Sequence, residues 1–257
     1  MMSVDASAIV KVSEVSLRYP NGTEALNGVS LDVPKGELVT LLGPSGCGKT
    51  SLLKIIAGLL QPSSGEIRIN DRISRAPGPD RALVFQDFAL MPWATVLRNV
   101  AFGLELRGLS RASRQAEAKR YIAEVGLAGS EYKYPHELSG GMRQRAGLAR
   151  ALAVNAEVLM MDEPFSAVDE QMRRKLQEDL LDLLRRERKT VIFVTHSIEE
   201  AVYLSDRIVL LSRNPGRVMR VVKPGFRRDT NESDIRRDPR YQDIIDDIWT
   251  SLKGYLN

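Results

Sequence analysis

The run Leu38-Val39-Thr40-Leu41-Leu42 passes directly into Gly43-Pro44-Ser45-Gly46-Cys47-Gly48-Lys49-Thr50, and this junction limits the possible folds more than any other stretch of the chain. A short, nearly continuous apolar run is what a strand covered on both faces requires, and such strands belong to parallel sheets flanked by helices. The glycines that follow let the backbone curl so that successive N–H groups point at an anion. Residues Thr50 to Ala57, a helix stopped at Gly58, add a positive dipole end. A glycine-rich loop of this spacing, with a strand before it and a helix after it, is a P-loop. Gly43, Pro44, Ser45, Gly46, Cys47, Gly48, Lys49, Thr50 and Ser51 are therefore candidate nucleotide-binding residues. Lys49 is placed to neutralise the outer phosphates and Thr50 to offer its hydroxyl to Mg²⁺, while Cys47 contributes only its backbone N–H.

Around this loop the patterning predicts an α/β fold. Rough alternation over Val12 to Tyr19 and Val29 to Val33 predicts an antiparallel β layer near the N-terminus. Short strands are expected at Glu66 to Ile69, Ala82 to Phe85, Val158 to Met161, Thr190 to Thr195 and Arg207 to Leu211. Their alternation with helices, among them Gln171 to Arg186 with Met172, Leu176, Leu180 and Leu183 on one face, implies a mostly parallel sheet. Residues from about 88 to 155 change to helical periods and are expected to form an inserted helical subdomain within a domain spanning 9–222. A basic tail and terminal amphipathic helix then occupy 223–257. Ser197-Ile198-Glu199-Glu200 has capping-box spacing and places a helix start directly after His196.

Composition sets outer limits. The 43% hydrophobic content over 257 residues suffices for a sizeable core, and a net charge of +4 from 37 basic and 33 acidic residues does not by itself point to nucleic acid. A single cysteine excludes an intramolecular disulfide and fits a reducing cytoplasm. No stretch reaches the roughly 18 apolar residues of a spanning helix, and MMSVDASAIVK lacks the order of a signal peptide, so membrane association is expected only through partners.

Val158-Leu159-Met160-Met161-Asp162-Glu163 is a buried strand ending in two carboxylates. Phosphate chemistry on a P-loop needs an acid at such a strand end to hold Mg²⁺, the role expected of Asp162. Glu163, one residue on, is the candidate base for the attacking water. Earlier in the chain, Leu138-Ser139-Gly140-Gly141-Met142-Arg143-Gln144-Arg145 resembles the signature sequence of ABC ATPases and lies ahead of the Asp162-Glu163 strand end as it does in that family. The resemblance covers the chain to about Val222. Met142 stands where many members have Gln, and Val168 where Leu is commoner, but the backbone of Ser139, Gly140 and Gly141 does not depend on either side chain.

What the resemblance implies is specific. Tyr19 would stack on adenine, Gln86 would reach Mg²⁺ and the attacking water, and His196 would contact the γ-phosphate. Asp169, in Ser166-Ala167-Val168-Asp169, would cross to the partner subunit. ATP and Mg²⁺ would be sandwiched between the P-loop of one chain and Ser139-Gly140-Gly141 of a second copy. The helical insertion would grip membrane-spanning permease subunits at the cytoplasmic face of the inner membrane, and a solute-binding protein would act indirectly. Phe88 to Val96, with Pro92-Trp93, resembles the segment of importers for nitrate, sulfonates and taurine, and Tyr134 to Leu138 is compatible with that branch. An exporter ATPase stays open as an alternative. A soluble ATPase acting on ribosomes or DNA is disfavoured by the single cassette and by Asp229, Glu232, Asp234 and Asp238 in the basic tail, so no nucleic-acid partner is expected.

Overall fold

The computed structural model describes residues 8–166, 170–187, 189–226 and 235–253. Ala167, Val168 and Asp169 lie outside these, as do Asp229, Glu232 and Asp234 in the tail. The chain divides into two compact units, Met1–Gly78 with Arg185–Asn257 and Pro79–Leu184.

In the first unit, β1 (Ala8–Arg18) pairs antiparallel with β2 (Glu24–Pro34). Its other edge takes β4 (Ser64–Ile69), which carries the short β5 (Arg72–Ile73), giving the order β2-β1-β4-β5. Val10, Val12, Val15 and Leu17 of β1 are buried against the core while residues between them reach solvent, as the alternation requires. Here is the expected antiparallel layer. β1 begins four residues and β2 five residues before the alternation becomes clear, and β4, after the P-loop helix, returns to pair with β1.

The second sheet of this unit has β3 (Leu38–Leu42) between two parallel neighbours, β8 (Thr190–Thr195) and β9 (Arg207–Leu211). Every residue of β3 and β8 is buried, which explains why their sequences are apolar without alternation. Polar atoms there find partners: the Thr40 and Ser205 hydroxyls meet, the Leu38 N–H donates to Asp206 at 2.7 Å, and Arg207 makes a two-pronged ion pair with Glu37 at 2.5 and 3.0 Å. β10 (Val218–Val222) adds antiparallel to β9. This strand has no counterpart in the sequence reading, because it is mostly half-exposed and is defined by its pairing more than by an apolar pattern.

Helix α1 (Lys49–Ile56) buries Leu52, Leu53, Ile55 and Ile56. α6 (Ile198–Leu204) starts at the Ser197 cap, whose hydroxyl accepts from the Glu200 N–H at 3.2 Å. The Glu200 carboxylate accepts the Thr195 hydroxyl at 2.6 Å, binding the helix start to the strand end. α7 (Pro239–Lys253) is the expected terminal helix, with Tyr241, Ile248 and Leu252 buried. It is fastened by the Tyr241 hydroxyl donating to the Glu199 carbonyl at 3.1 Å and by Arg220 of β10 bonding Asp247 and Ser251.

The second unit pairs β6 (Arg81–Val84) parallel with β7 (Val158–Asp162) and packs α2 (Val96–Leu106), α3 (Arg111–Glu124) and α4 (Gly140–Ala153) on one another. Each of these helices starts at a side-chain cap, Thr95, Ser110 and Ser139 respectively. α5 (Glu170–Glu187) follows, with Leu176, Leu180, Leu181, Leu183 and Leu184 buried. Among the described residues no helix is long and apolar enough to cross a membrane.

Candidate nucleotide site

The chemistry gathers where parallel strands end. Leu42 of β3 is in register with Thr195 of β8, so Gly43 and His196 each leave the same edge of the sheet one residue later. Ligands of open parallel sheets bind beyond this carboxyl edge.

The loop that follows β3 has glycine where nothing else fits. A Cβ on Gly43 would lie 2.7 Å from the Leu211 carbonyl oxygen and 2.9 Å from the Cys47 sulfur. Gly48 caps α1 with φ +92°, where a Cβ would meet Leu26 at 2.6 Å. Lys49 is buried, and its ammonium donates to the Gly43 carbonyl at 2.7 Å and the Pro44 carbonyl at 3.0 Å. The charge is thus held over the curl of the loop, where a phosphate would be met. Cys47 lies 3.7 Å from this ammonium; burial pushes its thiol up from the ordinary value while Lys49 works against that rise. A buried neutral thiol is no nucleophile, in keeping with a contribution from its backbone alone.

Tyr19, just past β1, is half-buried, and its hydroxyl bonds the Ser51 hydroxyl at 2.9 Å on the first turn of α1. The ring is thereby pinned beside the P-loop helix. His196 is exposed at the end of β8 and lines a cavity of about 680 Å³ together with Gly43, Pro44 and Ser45. The opposite wall comes from α7, through Ile245, Asp246, Trp249 and Leu252. The apolar spacing of this helix was visible in the sequence, while its docking depends on Tyr241 reaching a carbonyl 42 residues away.

A fluorescence experiment follows from that wall. Trp249 is 53% exposed, and the chain has only two tryptophans, so Trp93→Phe leaves Trp249 as the sole tryptophan, read by selective excitation apart from the tyrosines. Saturating ATP is expected to shift or quench its emission. An unchanged spectrum at saturation would separate the cavity from nucleotide binding.

In the second unit the same strand-end logic operates. Val84 of β6 is in register with Met161 of β7, so Gln86 and Glu163 each stand two residues beyond that rung, at one edge of a parallel pair. Asp162 is buried and Gln86 exposed. Glu163 adopts φ +45°, the left-handed region that a non-glycine residue rarely holds and that clusters at functional sites. Its carbonyl accepts from the Ser166 N–H at 3.2 Å and hydroxyl at 3.0 Å. Ser139 caps α4, its hydroxyl accepting from the Met142 N–H at 3.3 Å, with Gly140 and Gly141 in the first turn. Donors converge there without a cation from the three residues themselves. His136 stacks on Tyr134 at 5.8 Å, a structural use.

Oxygen donors of the kind Mg²⁺ takes are carried by Thr50 in the first unit and by Gln86 and Asp162 in the second. Among the described residues no cluster of three or more His, Cys, Asp or Glu could hold a metal alone.

Comparison with known proteins agrees with this geometry. The sequence profile described as ABC transporter matches residues 26–166. An uncharacterised ABC transporter ATP-binding protein of Methanocaldococcus jannaschii, MJ0412, is 48% identical over 237 residues, 91% of this chain and 89% of its own. The taurine import ATP-binding protein TauB of Chromobacterium violaceum is 45% identical over 255 residues, 96% of this chain and 98% of its own. Among solved structures, the dimeric post-hydrolysis form of the ATP-binding cassette MJ0796, bound to ADP and Pi, superposes with a TM-score of 0.76 at 33% identity. That match covers 84% of this chain and all of that one. With a P-loop on a buried parallel strand, two acids at the end of another and this breadth of similarity, the chain belongs to the ABC transporter family, as an ATP-hydrolysing subunit coupled to transport.

Proposed function

We propose that this chain drives uptake of a small sulfonate or related anion of the taurine and nitrate type, acting on the cytoplasmic face of the inner membrane beneath permease subunits and, through them, a solute-binding protein. The observation that carries this is similarity to several taurine import ATP-binding proteins, 42–47% identical over 91–96% of the chain. The Pro92-Trp93 loop supports it: buried Asn99 accepts from the Met91 N–H and donates to the carbonyls of Met91, Ala94 and Thr95, presenting Trp93 at 77% exposure. An exposed tryptophan on a rigid loop suits a protein partner.

In this reading the ATPase domain is 9–222, its helical subdomain about 88–155, and the tail 223–257. Gly43 to Ser51 cradle the triphosphate, Lys49 neutralises its outer oxygens and Tyr19 stacks on adenine. Thr50, Asp162 and Gln86 hold Mg²⁺, which when bound screens the phosphate charge. Glu163 takes the proton of the water that attacks the γ-phosphorus. The bond to the β–γ bridging oxygen breaks, giving ADP and Pi, with His196 steadying the γ-phosphoryl oxygens. Ser139, Gly140 and Gly141 of a second copy close the sandwich, and Asp169 crosses to that copy. Nucleic acid has no part.

The test is uptake of labelled taurine in a strain lacking the gene. Restoration by the wild-type gene, and not by its Lys49→Ala form, is expected. Return of nitrate uptake without taurine uptake moves the solute from sulfonate to nitrate within that proposal, and return of neither overturns it.

A further inference from the structure

Just past Gln86, two consecutive residues without glycine's freedom, Phe88 and Ala89, hold φ of +59° and +40°. Left-handed backbone is unfavourable for an ordinary residue, so surrounding structure must hold this turn. Arg150 does so. One guanidinium nitrogen donates to the Phe88 carbonyl at 2.7 Å and the other to the Ala89 carbonyl at 2.6 Å. The Phe88 ring is buried beside Gly147, where a Cβ would stand 3.0 Å from the Cβ of Phe88. The Ala89 N–H donates to Asp87 at 3.2 Å, and Met91 is fixed by Asn99 on the far side.

The geometry needs an arginine. A planar fork meets two adjacent carbonyls at once, whereas an ammonium presents a single point of charge. Burial lowers the Arg150 pKa, opposed by the charge of Asp87, so the cation sits where such bonds matter most.

Arg150 and Gly147 lie on α4, the helix that starts at Ser139. At 1.5 Å per residue, Arg150 stands about 15 Å along the same rod from Gly140. We propose that Arg150 is a positioning residue that fixes Gln86 relative to α4, so that a displacement at Ser139 to Gly141 reaches Gln86 through one helix and one guanidinium fork. The inference rests on the role proposed above for Gln86.

Amide hydrogen exchange over residues 86–91 of the full chain tests the clamp apart from catalysis. Arg150→Ala is expected to speed exchange there by about tenfold or more, and Arg150→Lys by less. Unchanged exchange in Arg150→Ala overturns the proposal. Steady-state ATP hydrolysis tests the consequence: kcat falls by about tenfold, KM stays within about twofold, and lysine restores part of the loss. In a Gln86→Ala background the same substitution should cost less than about a further twofold, because the two residues act as a unit. Losses that multiply in full, or a KM change as large as the kcat change, overturn the coupling. Should Arg150→Ala fail to fold, Gly147→Ala, which pushes on Phe88 without removing a charge, goes through the same cycle with the same expectations. If Gln86→Ala alone keeps wild-type kcat, the role of Gln86 and the coupling fall together, and exchange still decides the clamp.

Discussion

Glu163→Gln is expected to keep ATP affinity while slowing turnover by about 10²- to 10⁴-fold, the range that a positioned general base contributes. The substitution is nearly isosteric, so the backbone at φ +45° and the Ser166 bonds to the Glu163 carbonyl should persist. What disappears is the ability to accept a proton. A variant that binds but does not cleave should hold two copies together, because in the proposed sandwich the bridging γ-phosphate stays intact. Gel filtration with ATP, alongside single-turnover hydrolysis, checks both halves. A monomer with wild-type turnover would remove Glu163 from its assigned place.

Lys49→Ala should show the opposite signature. Truncating one partner of a buried charged contact costs about 2–5 kcal/mol, equivalent to a Kd for ATP raised by about 30- to 4,000-fold. A second effect is built into the loop. The same ammonium bonds the carbonyls of Gly43 and Pro44, so its removal also loosens the cradle, and a modest fall in Tm should accompany the lost affinity. Titration calorimetry of ATP binding measures the first effect. Unchanged affinity would show that the phosphates are met elsewhere.

The sequence disclosed the fold best where the backbone is most deeply covered. Leu38–Leu42, Thr190–Thr195 and Arg207–Leu211 have the expected limits, since continuous apolar runs leave little choice of where a covered strand begins and ends. Half-covered strands were less legible. β2 starts at Glu24, five residues before its alternation becomes clear, because pairing with β1 rather than burial defines that stretch. β10 went unseen for the same reason.

The site divides similarly. Candidate motifs built on consecutive backbone groups, such as Gly43 to Thr50 or Ser139 to Gly141, are local and so stand out along the chain. The Arg150 clamp joins residues 61 and 62 positions apart, and no pattern along the chain announces it. Neither was the turn at Phe88 and Ala89 visible, since no glycine marks it. Residues in strained backbone are held by their surroundings, and those surroundings are tertiary.

Trp249 and Leu252 lie outside residues 26–166, which carry the family match, yet they share a cavity with Gly43 to Ser45. An inhibitor reaching from the loop to α7 would take its anchoring from the glycine-rich loop and its discrimination from whichever side chains stand in the places of Trp249 and Leu252. Selectivity between related motors would then be a matter of shape at the helix, with the phosphate end left as shared ground.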